Sequence, residues 1–81
     1  MTDDELRQRI VSDPKVMVGQ PCIRGTRLTV QHILNLLAHG STVQDILAEY
    51  YRLAPDDISA CLLYAADMLE SRSGAALASS R

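Results

Sequence analysis

The sequence predicts a mainly α protein: a three-helix helix-turn-helix array preceded by a small N-terminal β-element. Three observations carry this expectation. Three segments in the C-terminal two-thirds repeat apolar residues at the i, i+3, i+4, i+7 spacing of one helix face. Capping and stop residues fall between those segments. Ahead of them, short β-branched runs flank a cluster of turn residues.

The β-element is expected over about 7–29. "RIV" and "RLTV" read as very short strands, and "SDPKVMVGQPCIRGT" between them holds the turn residues Asp13-Pro14, Gly19, Pro21 and Gly25. A hairpin this small is marginal alone, so it must lean on the helices or on another chain. The first helix is expected over about 30–39, where Val30, Ile33, Leu34 and Leu37 share a face and Gly40 supplies a left-handed C-terminal cap. The second is expected over about 42–51, with Ser41 and Gln44 at capping-box spacing and Val43, Ile46, Leu47 and Tyr50 on one face. The third is expected over about 55–70, opening at Pro55 with Asp56 and Asp57 in the first turn, where the helix dipole favours negative charge. Its buried stripe is predicted as Ile58, Cys61, Leu62, Ala65 and Leu69, and Ala54 is a poor residue for its N-cap. Residues 1–70 then form one domain, and the small, polar residues 71–81 a flexible tail.

Laying the common helix-turn-helix pattern on "QDILAEYYRLAPDDISACLL" puts small Ala48 where the two helices cross. Tyr51 and Leu53 fall at the apolar places of the turn, and Ile58 and Cys61 at those of the second helix. Arg52 stands where that turn usually has glycine. The chemistry fits less well than the shape. A groove-reading helix brings Arg, Lys, Asn or Gln to DNA, whereas this one opens on two carboxylates that phosphate repels.

With 81 residues, 47% hydrophobic and neither Trp nor Phe, the core must be thin and aliphatic, and it gains from a partner subunit; a homodimer is expected. No apolar run reaches the roughly 18 residues that span a bilayer, and "MTDDELRQRI" is acidic and polar rather than signal-like, so no membrane role and a cytoplasmic location are expected. The net charge of −2 hides a segregation. Residues 7–27 carry five cations (Arg7, Arg9, Lys15, Arg24, Arg27) against Asp13, while residues 42–70 carry six carboxylates against Arg52. Such a chain presents different faces to different partners, or pairs them across a dimer.

Within "GQPCIRGTRLTV", Gly25 permits a sharp turn between Arg24 and Arg27, and the Thr26 hydroxyl can tie the loop locally. Gly19, Pro21, Cys22, Ile23, Gly25 and Thr26 are its structural residues, with Cys22 and Ile23 anchoring it to the core. Arginines on a tight loop clamp phosphates or pair with carboxylates, including the acidic helices of the same protein. The candidate DNA contacts are Arg7, Arg9, Arg24, Arg27 and Gln31. Cys22 and Cys61 read as reduced thiols, with no spacing that suggests zinc and no cofactor expected. An enzyme with Cys22 as nucleophile and His32 or His39 as base lacks an orienting third group, so no enzymatic activity is expected.

"DPKVMVGQPCIRGTRLTVQHIL", followed by "STVQDILAEYYRLAPDDISACLLYAADML", resembles the small bacterial family catalogued as domain of unknown function 433. The shared core is Gly-x-Pro-Cys-Ile-x-Gly-Thr-Arg, from Gly19 to Arg27, with a segment similar to Leu62–Ala66 later in the chain. The resemblance implies a homeodomain-like or winged-helix-like fold. It further implies a VapB-like antitoxin of a type II toxin-antitoxin pair, bound to a PIN-like ribonuclease toxin and autoregulating its operon. The alternative is a stand-alone DNA-binding transcriptional regulator without a toxin partner.

Overall fold

The computed structural model describes residues 1–15 and 19–79, and the side chains among them as far as residue 70. The order is α1 (Asp3–Arg7), β1 (Ile10–Val11), β2 (Cys22–Ile23), α2 (Val30–Ala38), α3 (Val43–Glu49) and α4 (Pro55–Ser79). The protein is therefore mainly helical, with one two-stranded antiparallel sheet among the described residues. Its register sets Ile10 opposite Ile23 and Val11 opposite Cys22.

Helix α1 lies outside the three expected helices, although its signal is present. Thr2 and Glu5 form a reciprocal capping box: the Thr2 hydroxyl accepts the Glu5 N–H at 3.2 Å and the Glu5 carboxylate accepts the Thr2 N–H at 2.9 Å. These contacts hold the Glu5 carboxyl below its ordinary range, the Thr2 backbone N–H contributing most. "RIV" supplies β1 as expected, but its partner is Cys22–Ile23 rather than "RLTV". Thr29 makes only an isolated bridge to Cys22, because α2 begins at the next residue, with the Thr29 hydroxyl as its N-cap accepting the His32 N–H at 3.0 Å. The middle of the predicted turn region, residues 16–18, lies outside the described residues.

Helix α2 closes as its sequence predicts. Gly40 has φ +99°, Gly40 N–H donates to the Leu37 carbonyl at 3.2 Å and Ser41 N–H to that of Leu36 at 3.0 Å, the two bonds of a Schellman motif. Ser41 is thereby the last residue of that motif, and the cap of α3 moves to Thr42. The Thr42 hydroxyl accepts the Asp45 N–H and the Asp45 carboxylate the Thr42 N–H, each at 3.0 Å, in place of the expected Ser41–Gln44 box. The same pairing lowers the Asp45 carboxyl below its usual range, the Thr42 backbone N–H first. Helix α3 stops at Glu49, and Leu53 N–H turns back to the Tyr50 carbonyl at 2.9 Å.

Helix α4 starts without an N-cap side chain, as Ala54 requires, but Asp57 compensates. Its carboxylate reaches back to the Ala54 N–H at 2.8 Å, supplying half of a capping box. The helix continues past Glu70 into the segment expected as a tail, where Ala75, Ala76 and Ala78 are strong helix formers; residues 80–81 lie outside the described residues.

Ile23, Val30, Ile33, Ile46, Leu53, Ile58 and Cys61 form the core, so strand β2 and all three later helices contribute to it. The predicted faces of α2 and α3 point inward. That of α4 holds at Ile58 and Cys61 but turns further along: Leu62 and Leu69 are half or more exposed, while Ala60 is buried and Tyr64 packs on the core. The cause is α1, which packs along α4 and brings Arg7 and Ile10 beside Ala60, Tyr64, Asp67 and Met68. The helix-turn-helix register also departs from its pattern. Ala48 is exposed instead of lying at a helix crossing, and Tyr51 is 86% exposed instead of filling the turn. Among the described residues no helix is long and apolar enough to cross a membrane.

Candidate functional site

Strand β2 leads directly into a turn that carries the two motif arginines. Ile23 organises it: its N–H donates to the Leu28 carbonyl at 2.9 Å, and its carbonyl accepts the Thr26 N–H at 3.0 Å and the Thr26 hydroxyl at 2.8 Å. The Thr26 oxygen also accepts the Leu28 N–H at 3.0 Å, so one hydroxyl closes both sides of the turn. Gly25 sits at φ +81°, a conformation that other L-residues adopt at a cost, and no atom lies within 4 Å of where a Cβ would be. The turn's need for glycine is therefore conformational rather than steric. Below it the Pro21 carbonyl accepts the Val30 N–H at 2.9 Å, the Gly19 carbonyl accepts the Ser12 hydroxyl, and Cys22 and Ile23 are 2% exposed. A turn tied at this many points presents Arg24 and Arg27, both exposed, on a firm base.

The five cationic and polar candidates separate into two groups. Arg7 faces α4, with Nε 2.8 Å and Nη2 3.2 Å from the two Asp67 oxygens, and Nη1 3.1 Å from Asp4. The Arg7 bonds hold the Asp67 carboxyl below its ordinary range. Arg9 donates from Nη1 to Asp57 at 2.8 Å and lies 4.0 Å from Asp56. Both arginines thus fasten the N-terminal segment to α4, and Asp57, only 7% exposed, receives Arg9 on one oxygen and the Ala54 N–H on the other. The carboxylates at the head of α4 are turned toward the chain's own cation.

Arg24 and Arg27 have no carboxylate within 4.0 Å among the described residues, and neither does Arg52. Gln31 is exposed in the first turn of α2. Arg52, at the turn between α3 and α4, is brought beside Arg27. The two, with Thr26, line both a cleft of about 560 Å³ and a smaller one of about 240 Å³. Asp13 lies in the wall of the larger cleft and Glu49 in that of the smaller, with Tyr51 also lining the smaller one. Two guanidiniums on one ridge repel each other and are relieved by an anion between them. Sequence reasoning missed Arg52 and Tyr51 because it assigned both to the turn of the helix-turn-helix pattern. The available signal was Arg52 itself, the single cation within the acidic residues 42–70 and a misfit in that pattern.

The remaining chemically active side chains are engaged elsewhere. The Cys22 thiol donates to the Gln20 carbonyl at 3.2 Å. Burial, and then the charge of Asp57, pushes the Cys61 thiol up to about 12. His32 bonds the Tyr50 hydroxyl at 3.1 Å in an edge-on arrangement, and His39 the Asn35 carbonyl at 2.7 Å. Among the described residues no group of three or more His, Cys, Asp or Glu is placed to hold a metal ion.

Fold and site together define a small, mainly helical domain whose sheet turn and interhelical turn meet in a basic ridge without carboxylate partners among the described residues. Residues 10–65 match the family described as "Protein of unknown function (DUF433)", and the chain belongs to that family. No curated protein and no solved structure matches it.

Proposed function

We propose that the protein is an antitoxin-type regulator that contacts nucleic acid through the Arg24, Arg27 and Arg52 face and a protein partner through α4. The observation that carries the first half is the meeting of Arg27 and Arg52, remote in sequence, on one exposed ridge with no carboxylate partner among the described residues. Arginines that serve only the fold look like Arg7 and Arg9, each bonded to an acid of the same chain. The target is DNA upstream of the gene, held by its phosphates. In this reading α2, α3 and α4 form a helix-turn-helix-type array used for packing. The exposed side of α4 carries Pro55, Ser59, Leu62 and Ala66, with no Arg, Lys, Asn or Gln to make a bidentate contact to a base edge.

The partner half draws on the family resemblance and on Leu62, Met68 and Leu69, which are 46–62% exposed on one helix. A second copy of the chain and a PIN-like ribonuclease toxin are the proposed occupants. The test of the first half is fluorescence anisotropy of upstream DNA titrated with wild type and with an Arg27→Ala, Arg52→Ala variant. Loss of binding in the variant supports the reading, and equal binding removes it. Co-purification with the product of the adjacent gene tests the toxin half, and its failure leaves the stand-alone regulator.

A further inference from the structure

We propose that the Arg27–Arg52 ridge and Tyr51 form a site for a single nucleic-acid strand, with a phosphate between the two guanidiniums and the neighbouring base stacked on the Tyr51 ring. This rests on the assignment of the ridge to nucleic acid and narrows it from nucleic acid in general to an unpaired strand.

Three observations separate a single strand from a duplex. Tyr51 is 86% exposed beside the ridge, so its ring face is open. Duplex bases are already stacked on one another, whereas an unpaired base can lie on an aromatic ring. Next, the arginines of the ridge line two clefts, and a nucleoside can enter such a recess while a duplex rests across its rim. Finally, Glu49 in the smaller cleft and Asp13 in the larger repel phosphate, which confines it to the arginines that line both. A carboxylate in that position accepts a hydrogen bond from an exocyclic base amine, which is free only when the base is unpaired or its groove edge is read directly. Arg27 and Arg52 therefore take the backbone, Tyr51 the base face, and Glu49 is the group placed to prefer amine-bearing bases.

The measurement is anisotropy of a fluorescein-labelled oligothymidylate of about twelve nucleotides, an oligocytidylate of the same length and a duplex, each titrated with the whole protein. Wild type is expected to bind the single strands more tightly than the duplex and the cytidylate more tightly than the thymidylate. Tyr51→Ala should weaken single-strand binding by about tenfold, Tyr51→Phe should retain it, and neither should alter duplex binding. Tyr51 is too exposed for its replacement to disturb folding. Single-strand binding no tighter than duplex binding, or unchanged in Tyr51→Ala, overturns the inference. If the duplex still binds and is lost in Arg27→Ala, Arg52→Ala, the broader reading stands without it; if wild type binds none of the probes, both fall.

Discussion

Replacing Arg9 by Met should cost far more stability than replacing Arg7, although Arg7 makes more hydrogen bonds. Arg9 reaches Asp57 at 2.8 Å, and the side chains are 28% and 10% exposed; Arg7 and Asp67 are 47% and 38% exposed. Removing one partner of a fully buried pair costs about 3–5 kcal/mol because the other charge is stranded, while an exposed pair contributes about 0–1 kcal/mol. Water reaches part of Arg9, and Asp57 keeps the Ala54 N–H, which places Arg9→Met at about 2 kcal/mol and leaves Arg7→Met, at a solvent-screened pair, with a much smaller loss. Met retains the apolar stem, so the difference reports the charge rather than lost packing. In a domain of this size about 1 kcal/mol corresponds to roughly 4–8 °C, so Arg9→Met should lower Tm by about 8–16 °C. Thermal unfolding followed by circular dichroism measures both. Adding Asp57→Asn to Arg9→Met should restore part of the loss, since it removes the stranded charge and leaves an acceptor for Ala54. Equal losses for Arg7→Met and Arg9→Met, or no recovery in the double variant, would refute a buried latch.

Gly25→Val should destabilise by about 1–2 kcal/mol purely through its positive φ, and Gly25→Asn by about half of that, as read from urea midpoints. A loss far above this would mean that a side chain at the position meets a neighbour after all. In the native protein both thiols should react slowly with Ellman's reagent in mildly alkaline buffer, since Cys22 and Cys61 are 2% and 0% exposed and the Cys61 thiol is pushed up to about 12. Two fast equivalents should appear only in denaturant. Glu5, Asp45 and Asp67 are held below their ordinary values in the folded chain, so their contribution is present above the unfolded carboxylate range and is lost as pH falls through the lowered values. Denaturation midpoints should therefore hold down to about pH 4 and decline below it, and Asp67→Asn should make that decline shallower.

Much of the helical frame is legible because its signals are local. The faces of α2 and α3 and the stop at Gly40 follow from spacing and from one glycine. Thr42 displaces Ser41 as a cap by a single residue, since closing α2 and opening α3 compete for neighbouring backbone groups. Thr2 and Glu5 carry an equally clear box at the N-terminus, and a reading without α1 has a distant consequence. Periodicity alone then finds Ile58 and Cys61 but places Leu62 and Leu69 inside as well, because nothing marks the side that α1 covers. The site is half legible. The turn residues of "PCIRGT" announce a rigid presentation of arginines, but which cations find acids is a property of tertiary placement. Nothing near Arg7 and Arg9 in sequence indicates Asp67 and Asp57, and nothing near Arg27 indicates Arg52.

Phosphate binding by Arg27 and Arg52 is tested most directly by salt dependence. The logarithm of the binding constant for upstream duplex DNA should fall linearly with the logarithm of salt concentration. Removing both arginines should reduce that slope by about 0.9, the value for the one phosphate held between them, whereas Arg7→Met, remote from the ridge, should leave it unchanged. A slope identical in wild type and in Arg27→Ala, Arg52→Ala would contradict phosphate binding by the ridge.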